Sequence, residues 1–405
     1  MQDHSAIVVM VDLLGAGYLG PYGNSWVETP QLNRLASQSW VFEQAISDST
    51  TLPQLYRSFL LGCHAARGGS IATAAGLPLA AAGAGIRAAL ITDESRLGEY
   101  PPVSDFPERI QLAPREPAAA AEEHTQLGQL FSAALDWLDS AESPFLLWLH
   151  AQGMNGAWDA PWSYREGFAD EEDPRPPDFV VPPNQRVDDA FDPDELLGVT
   201  QAYAGQVLLL DVCMGTLMEV LEAHPRRDQT MVVFASPRGF PLGEHGCIGA
   251  CGDSLRGEVL HMPLMIRTPD GQPERGRIST FAQPSDLVST ISSWLNLSSV
   301  SSSGSRNLLD LGAGNASWRR ECVCAIGDGQ RAIRTPAWFL RETDSGSISL
   351  YAKPDDRWEV NEVADRCPEV VLGLRAALHR YLELAEAGRT DDFPPLSRDL
   401  LELQE

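Results

Sequence analysis

The sequence predicts an α/β protein: a large three-layer domain with a mostly parallel central sheet, then a small C-terminal α+β subdomain with a short antiparallel sheet. Three observations predict it. Continuous apolar runs at 6–11, 144–150 and 231–235, rich in β-branched and aromatic residues, read as strands buried on both faces. Segments with helical apolar spacing lie between and after them, and such alternation places helices on both faces of a sheet. A Ser-rich stretch at 298–305 then separates this pattern from a series of short strand-like pieces.

In chain order, the first run (AIVVMV) stops at Asp12. Thr29 and Pro30 open a helix, Thr as its cap and Pro in its first turn, with Leu32 and Leu35 on the inner face. The stretch 167–192 is rich in Asp, Glu and Pro and reads as a surface excursion. Leu210, Met214, Leu217 and Leu221 make one apolar helix stripe, and Leu287, Ile291, Trp294 and Leu295 another. Beyond the Ser-rich stretch, the segments 321–326, 331–335, 337–341 and 347–352 alternate with turns, and a helix follows with Val371, Leu374, Leu378 and Leu382 on one side. This divides the chain into 1–310 and 311–405. Ligands of open α/β sheets sit beyond the carboxyl ends of the strands. Asp12, His150 and Ser236 to Arg238 fall at those ends.

A formal net charge of −26 over 405 residues argues against a nucleic-acid partner, because phosphate backbones are held by Lys and Arg footprints. The same field repels a highly charged anionic polymer unless a local basic pocket overrides it. No apolar run approaches the roughly 20 residues that span a bilayer, and the start of the chain lacks the basic and apolar regions of a signal peptide. The expectation is a cytoplasmic chain with no membrane partner, its oligomeric state open. Seven cysteines, an odd number, point to thiols rather than a disulfide framework. Cys247 with Cys251, and Cys322 with Cys324, are close in sequence but complete no zinc-ligand spacing.

Several segments resemble one family in collinear order. VDLLGAGYLGPYGN followed by TPQLNRLASQSWVFEQAIS is similar to the opening of sulfatases, LLWLHAQGMNGAWDAP to their middle strand, and VVFASPRGFPLGEHG with LRGEVLHMPLMIR to their late strand and the segment after it. QRAIRTPAWFL and LYAKPDDRWEVNEVAD resemble their C-terminal sheet. The resemblance implies the alkaline-phosphatase-like fold, a hydrolase of sulfuric esters, and a divalent cation, Ca²⁺ or Mg²⁺, beside the nucleophile. Sulfatases use a formylglycine made from Cys or Ser at the head of a Cys/Ser-x-Pro-x-Arg motif. Here Thr51 heads Thr-Leu-Pro, and Arg57 follows two residues later than the family's Arg. Thr cannot become formylglycine, although in phosphodiesterase relatives a Thr serves as nucleophile with two zinc ions.

The implied metal set is depleted. Asp12 remains as a ligand position, but Leu13 stands at a frequent second Asp, and Pro237 and Arg238 stand at the late-strand ligand pair. Asn155 occupies the place of the middle-strand His, and Cys251 and Gly252 lie where a Lys is expected. Neither proline nor a guanidinium can coordinate a cation. His150 and His245 remain as candidate substrate-binding groups, although a fold-supporting role suits both better than catalysis. The hypothesis is that Arg238 replaces the dication and pairs with Asp12. A second Cys-x-Ala-x-Arg run, Cys63 to Arg67, lies outside the family's register. Two readings stay open: a pseudoenzyme or very weak hydrolase that binds a small sulfate or phosphate ester or a protein partner, and an active metal-poor hydrolase using Thr51.

Overall fold

The computed structural model describes residues 3–68, 76–114, 121–177, 181–188, 190–249, 255–269, 275–297, 300, 303–312 and 320–403. Its main sheet contains β1 (Ser5–Val11), β2 (Trp40–Phe42), β3 (Arg87–Thr92), β4 (Glu108–Gln111), β5 (Phe145–Ala151), β7 (Thr230–Ala235), β9 (Leu264–Arg267) and β10 (Gly276–Ile278). The strand order is β10-β2-β9-β7-β1-β5-β3-β4. β9 runs antiparallel to both its neighbours, and the remaining pairs are parallel. A two-stranded ribbon pairs β6 (Gln185–Arg186) with β8 (Cys247–Ile248).

Side-chain alternation explains why the central strands are apolar without a break. Ile7, Val9, Val11, Leu147 and Leu149 belong to one core, against helices α1 (Pro30–Ser37), α4 (Gln126–Asp139) and α6 (Pro193–Ala223). Ala6, Val8, Met10, Leu146 and Trp148 belong to the other, against α2 (Leu52–Leu61), α3 (Leu77–Gly83) and α8 (Asp286–Trp294). Each large side chain buried this way contributes about 1.5–3 kcal/mol, so neither face of β1 or β5 tolerates a polar residue cheaply. The short helices α5 (Trp162–Glu166), α7 (Gly257–Leu260) and α9 (Leu309–Gly312) lie in the connections.

Two local details differ from the sequence expectation. Thr29 does precede α1, but its hydroxyl accepts from the Gly20 amide instead of capping the helix. The cap is Asp211 of α6, whose carboxylate accepts from Gln31 N at 3.1 Å and Leu32 N at 2.8 Å. A negative charge at the positive end of the helix is the stronger solution. The second detail is α6 itself, which extends far beyond the predicted stripe. It is long and apolar enough to cross a membrane by length and composition, yet 72% of its most apolar window is buried in this structure.

After α9 comes an antiparallel meander of β11 (Val323–Gly327), β12 (Gln330–Arg334), β13 (Trp338–Thr343) and β14 (Ile348–Ala352). Helix α10 (Pro368–Glu386) covers it with Leu374, Leu378 and Tyr381. The meander is joined to the large sheet at its β11 edge. Ile326 N donates to Asp48 O at 3.0 Å, and the Cys324 carbonyl accepts from Gln283 and lies 2.9 Å from His64 Nε2. The thiol expectation holds at Cys63, Cys213, Cys322, Cys324 and Cys367 and fails at Cys247, which is disulfide-bonded. Cys247 lies in β8 of the two-stranded ribbon. Cys251 and Gly252 lie outside the described residues, as does part of the Ser-rich stretch.

Candidate active-site cleft

β1 delivers Asp12 to the carboxyl edge of the sheet, fully buried between β5 and β7. Its backbone is fixed on both sides. Asp12 N donates to Ala151 O at 3.0 Å, and Met154 N donates to Asp12 O at 2.9 Å. Gly153, at φ +59°, sits so close that a Cβ there would lie 2.6 Å from Asp12 O, which is why this turn has glycine. Leu13 follows with φ 56°, and Tyr203 spans the resulting turn by donating to Leu13 O and accepting from Gly15 N.

Arg238, three residues beyond β7, turns inward. Its Nε donates to Asp12 Oδ1 and one terminal nitrogen to Oδ2, both at 2.9 Å, and the other donates to Thr50 O at 2.7 Å. This is the bidentate fork that guanidinium and carboxylate form best. The side chains are 17% and 1% exposed, so the pair is largely withdrawn from water. Pro237 contributes its carbonyl, which accepts from the Ser47 hydroxyl. Ser236 braces the loop, accepting from Leu14 N and donating to Arg238 O.

His150, on β5 beside Asp12, is fully buried. Its Nδ1 lies 2.6 Å from the Tyr56 hydroxyl, which in turn accepts from Trp148 Nε1 at 3.1 Å. Burial holds Tyr56 well above its ordinary pKa, so its hydroxyl stays protonated. The other ring nitrogen, Nε2, is buried with no hydrogen-bond partner among the described residues. Desolvation pushes His150 down to about 4, which keeps it neutral near pH 7.

Thr51 is the N-cap of α2, half-buried. Its hydroxyl donates to Gln54 Oε1 at 3.1 Å, and its amide donates to Ser49 Oγ. Arg57, on the same helix, donates to the Arg67 carbonyl at 2.8 Å, and Asn155 is exposed. Neither is brought to the Asp12–Arg238 pair by any contact among the described residues. His64, in the out-of-register run, is committed to the Cys324 carbonyl and the Ala66 amide.

Outside the pair opens a cavity of about 310 Å³. Arg186 of β6, Arg238, Arg256 and Arg341 of β13 line it, with Gln330, Thr343, Glu244, His245 and Glu258. Arg341 Nε is buried without a hydrogen-bond partner among the described residues, while one terminal nitrogen lies 3.4 Å from the Tyr351 hydroxyl. His245 is accessible and held down to about 4, by desolvation first and then by Arg256 and Arg341. Of the residues that the sequence singled out, this cavity gathers Arg238 and His245. Thr51, Arg57, His150 and Asn155 are not among its described lining residues. Arg186, Arg256 and Arg341 had no sequence signal, since each comes from a different element with no fixed spacing to the others.

The family model described as Sulfatase matches residues 5–297. The chain belongs to the sulfatase family. A stretch of 134 residues is 29% identical to the multifunctional alkaline phosphatase superfamily protein PehA of Trinickia caryophylli, covering 32% of this chain and 26% of that protein. Another of 67 residues is 39% identical to an N-acetylglucosamine-6-O-sulfatase of Bacteroides thetaiotaomicron, covering 16% of this chain and 12% of that one. The matches thus span about a quarter and about an eighth of these relatives' lengths. In three dimensions this sulfatase-family chain is similar to the phosphonate monoester hydrolase of Agrobacterium radiobacter, with a TM-score of 0.77 over 98% of both chains at 16% identity. At that identity the likeness concerns the fold, and it is the alkaline-phosphatase-like fold expected from the motifs.

Proposed function

We propose that this sulfatase-family chain binds a small sulfate or phosphate ester, or the free oxyanion, in the arginine-lined cleft without efficient turnover. The observation that carries the reading is the two-point contact of Arg238 with Asp12. A dication at the strand ends needs carboxylate oxygens with free lone pairs. Both oxygens of Asp12 face guanidinium donors, Pro237 has no ligating side chain, and Arg238 adds positive charge where an ion would sit. The residues present do not fit the family's Ca²⁺ or Mg²⁺ at this position. Charge balance at the buried Asp12 is supplied by an arginine, which neutralises but cannot activate a nucleophile.

Arginine still suits the anion. Sulfate and phosphate oxygens accept from guanidinium forks, and Arg186, Arg256 and Arg341 line the same cavity. The arginines of this wall set a local positive charge against a net charge of −26 where an oxyanion would dock. The names of the relatives share this chemistry, a sulfate ester in one and a phosphonate ester in another. Thr51 argues for weak chemistry. Its hydroxyl rests on a Gln amide oxygen, and Gln54 cannot take up a proton as a general base. Losing the metal and the base together leaves little above background, because such groups act as a unit.

The test is a calorimetric titration with sulfate, phosphate and 4-nitrophenyl sulfate, with 4-nitrophenolate release followed in parallel with and without divalent ions. The expected result is saturable binding that Arg341→Gln weakens, with no metal-stimulated release. Release stimulated by metal and abolished by Thr51→Ala would establish the hydrolase reading instead.

A further inference from the structure

The rim of the cleft holds a cluster built from three distant segments. His245 follows the late strand, Glu258 lies in α7, and Glu359 follows β14. One ligand atom from each lies within 4.8 Å of the other two. Glu359 is 3% exposed, and its two oxygens are treated unequally. Oε1 accepts from Gly257 N at 3.0 Å and lies 3.3 Å from Lys353 Nζ. Oε2 is buried with no hydrogen-bond partner among the described residues. A buried carboxylate oxygen without a donor is rare and calls for a partner, and an ion is one that fits a carboxylate. His245 Nε2 lies 3.8 Å from Glu258 Oε1.

We infer that His245, Glu258 and Glu359 bind one divalent transition-metal ion, Zn²⁺ or Mn²⁺, at the edge of the arginine cleft. One imidazole and two carboxylates suit these ions, whereas a lone cluster of oxygens would suit Ca²⁺. Zinc with ligands about 2.0–2.2 Å away separates its donor atoms by about 3.4 Å, so small side-chain rotations close the triad on an ion. Burial and the neighbouring carboxylates Glu359 and Glu244 push Glu258 up to about 7, and burial raises Glu359 as well. A dication relieves both. Lys353, Arg341 and Arg256 offset these upward shifts only in part. Lys353 Nζ is shared with the Asp356 and Arg357 carbonyls and contacts Oε1, not Oε2, while Arg256 faces the imidazole at 3.3 Å. The residue pair His245 and Glu359 also has left-handed backbone, at φ 53° and 57°, which non-glycine residues keep only where their surroundings impose it.

The site is separate from Asp12, and metal is titrated with no anion present, so its failure leaves the oxyanion reading untouched. Metal-stripped protein is titrated calorimetrically with Zn²⁺, Mn²⁺ and Ca²⁺. One equivalent of Zn²⁺ or Mn²⁺ should bind the wild type, with Ca²⁺ much weaker. Glu258→Gln and Glu359→Gln should each lose affinity by more than the about 10–100-fold typical of outer-shell partners. The double variant Asp12→Asn/Arg238→Gln should keep it. Far-UV circular dichroism without metal checks folding, and Glu258→Gln carries the test if the buried Glu359 variant does not fold. Absence of stoichiometric binding by the wild type overturns the site. So does binding that survives Glu258→Gln but is lost in the Asp12 double variant.

Discussion

At the scale of single residues, a buried charge is acceptable when it is paired. Asp12 has its whole carboxylate on Arg238, so removing one partner strands the other. Arg238→Ala or Asp12→Ala alone should cost about 3–5 kcal/mol, and the double replacement by apolar residues much less than the sum. Urea unfolding of the two singles and the double measures this coupling. His150 supplies a pH prediction. Its folded pKa of about 4 lies below the ordinary 6.5, so the unfolded chain binds the extra proton between those values and stability falls as pH drops through that window. His150→Asn removes that liability, so its cost should be smaller at pH 5 than at pH 7, by about 2 kcal/mol at most. A cost that does not change with pH contradicts the neutral, buried imidazole. The pair was legible in the sequence because both residues sit at strand ends, where position follows from the strand itself. The remaining cleft arginines were not, because Arg186, Arg256 and Arg341 meet only through the packing of three separate elements.

At the scale of elements, the central strands were readable because burial on both faces writes itself as an unbroken apolar run. The α1 cap was not, because the group that satisfies the first-turn amides is Asp211, from another helix. Thr29 preceding Pro30 is a local signal, and tertiary structure supplied a better acceptor. Asp211→Ala should therefore cost about 1–2 kcal/mol, whereas Thr29→Ala should act through the Gly20 turn rather than the helix. Comparing thermal unfolding of the two variants, with α1 amide exchange as the local readout, checks the assignment: faster exchange at Gln31 and Leu32 is expected only for Asp211→Ala. The ribbon of β6 and β8 was hidden for a related reason. Its partners lie about sixty residues apart, and a two-residue strand has no periodicity to read.

At the scale of the whole molecule, the small meander is part of the same site. It gives Gln330, Arg341 and Thr343 to the cleft, and its Val323, Ala325, Phe339 and Tyr351 share an apolar cluster with Ile46, Leu260 and Phe281 of the large domain. A chain ended at residue 310 should expose that face and aggregate, a result that size-exclusion chromatography reads directly; a soluble, monomeric 1–310 fragment would show the two parts to be independent. The central claim is that an arginine occupies the role of the family's dication. It is tested most directly by a crystal structure of the protein grown with Ca²⁺ and a sulfate ester. The expected structure has both Asp12 oxygens on Arg238 and the ester's oxyanion against the cleft arginines. A Ca²⁺ ion coordinated by Asp12, with Arg238 swung out to solvent, would contradict it.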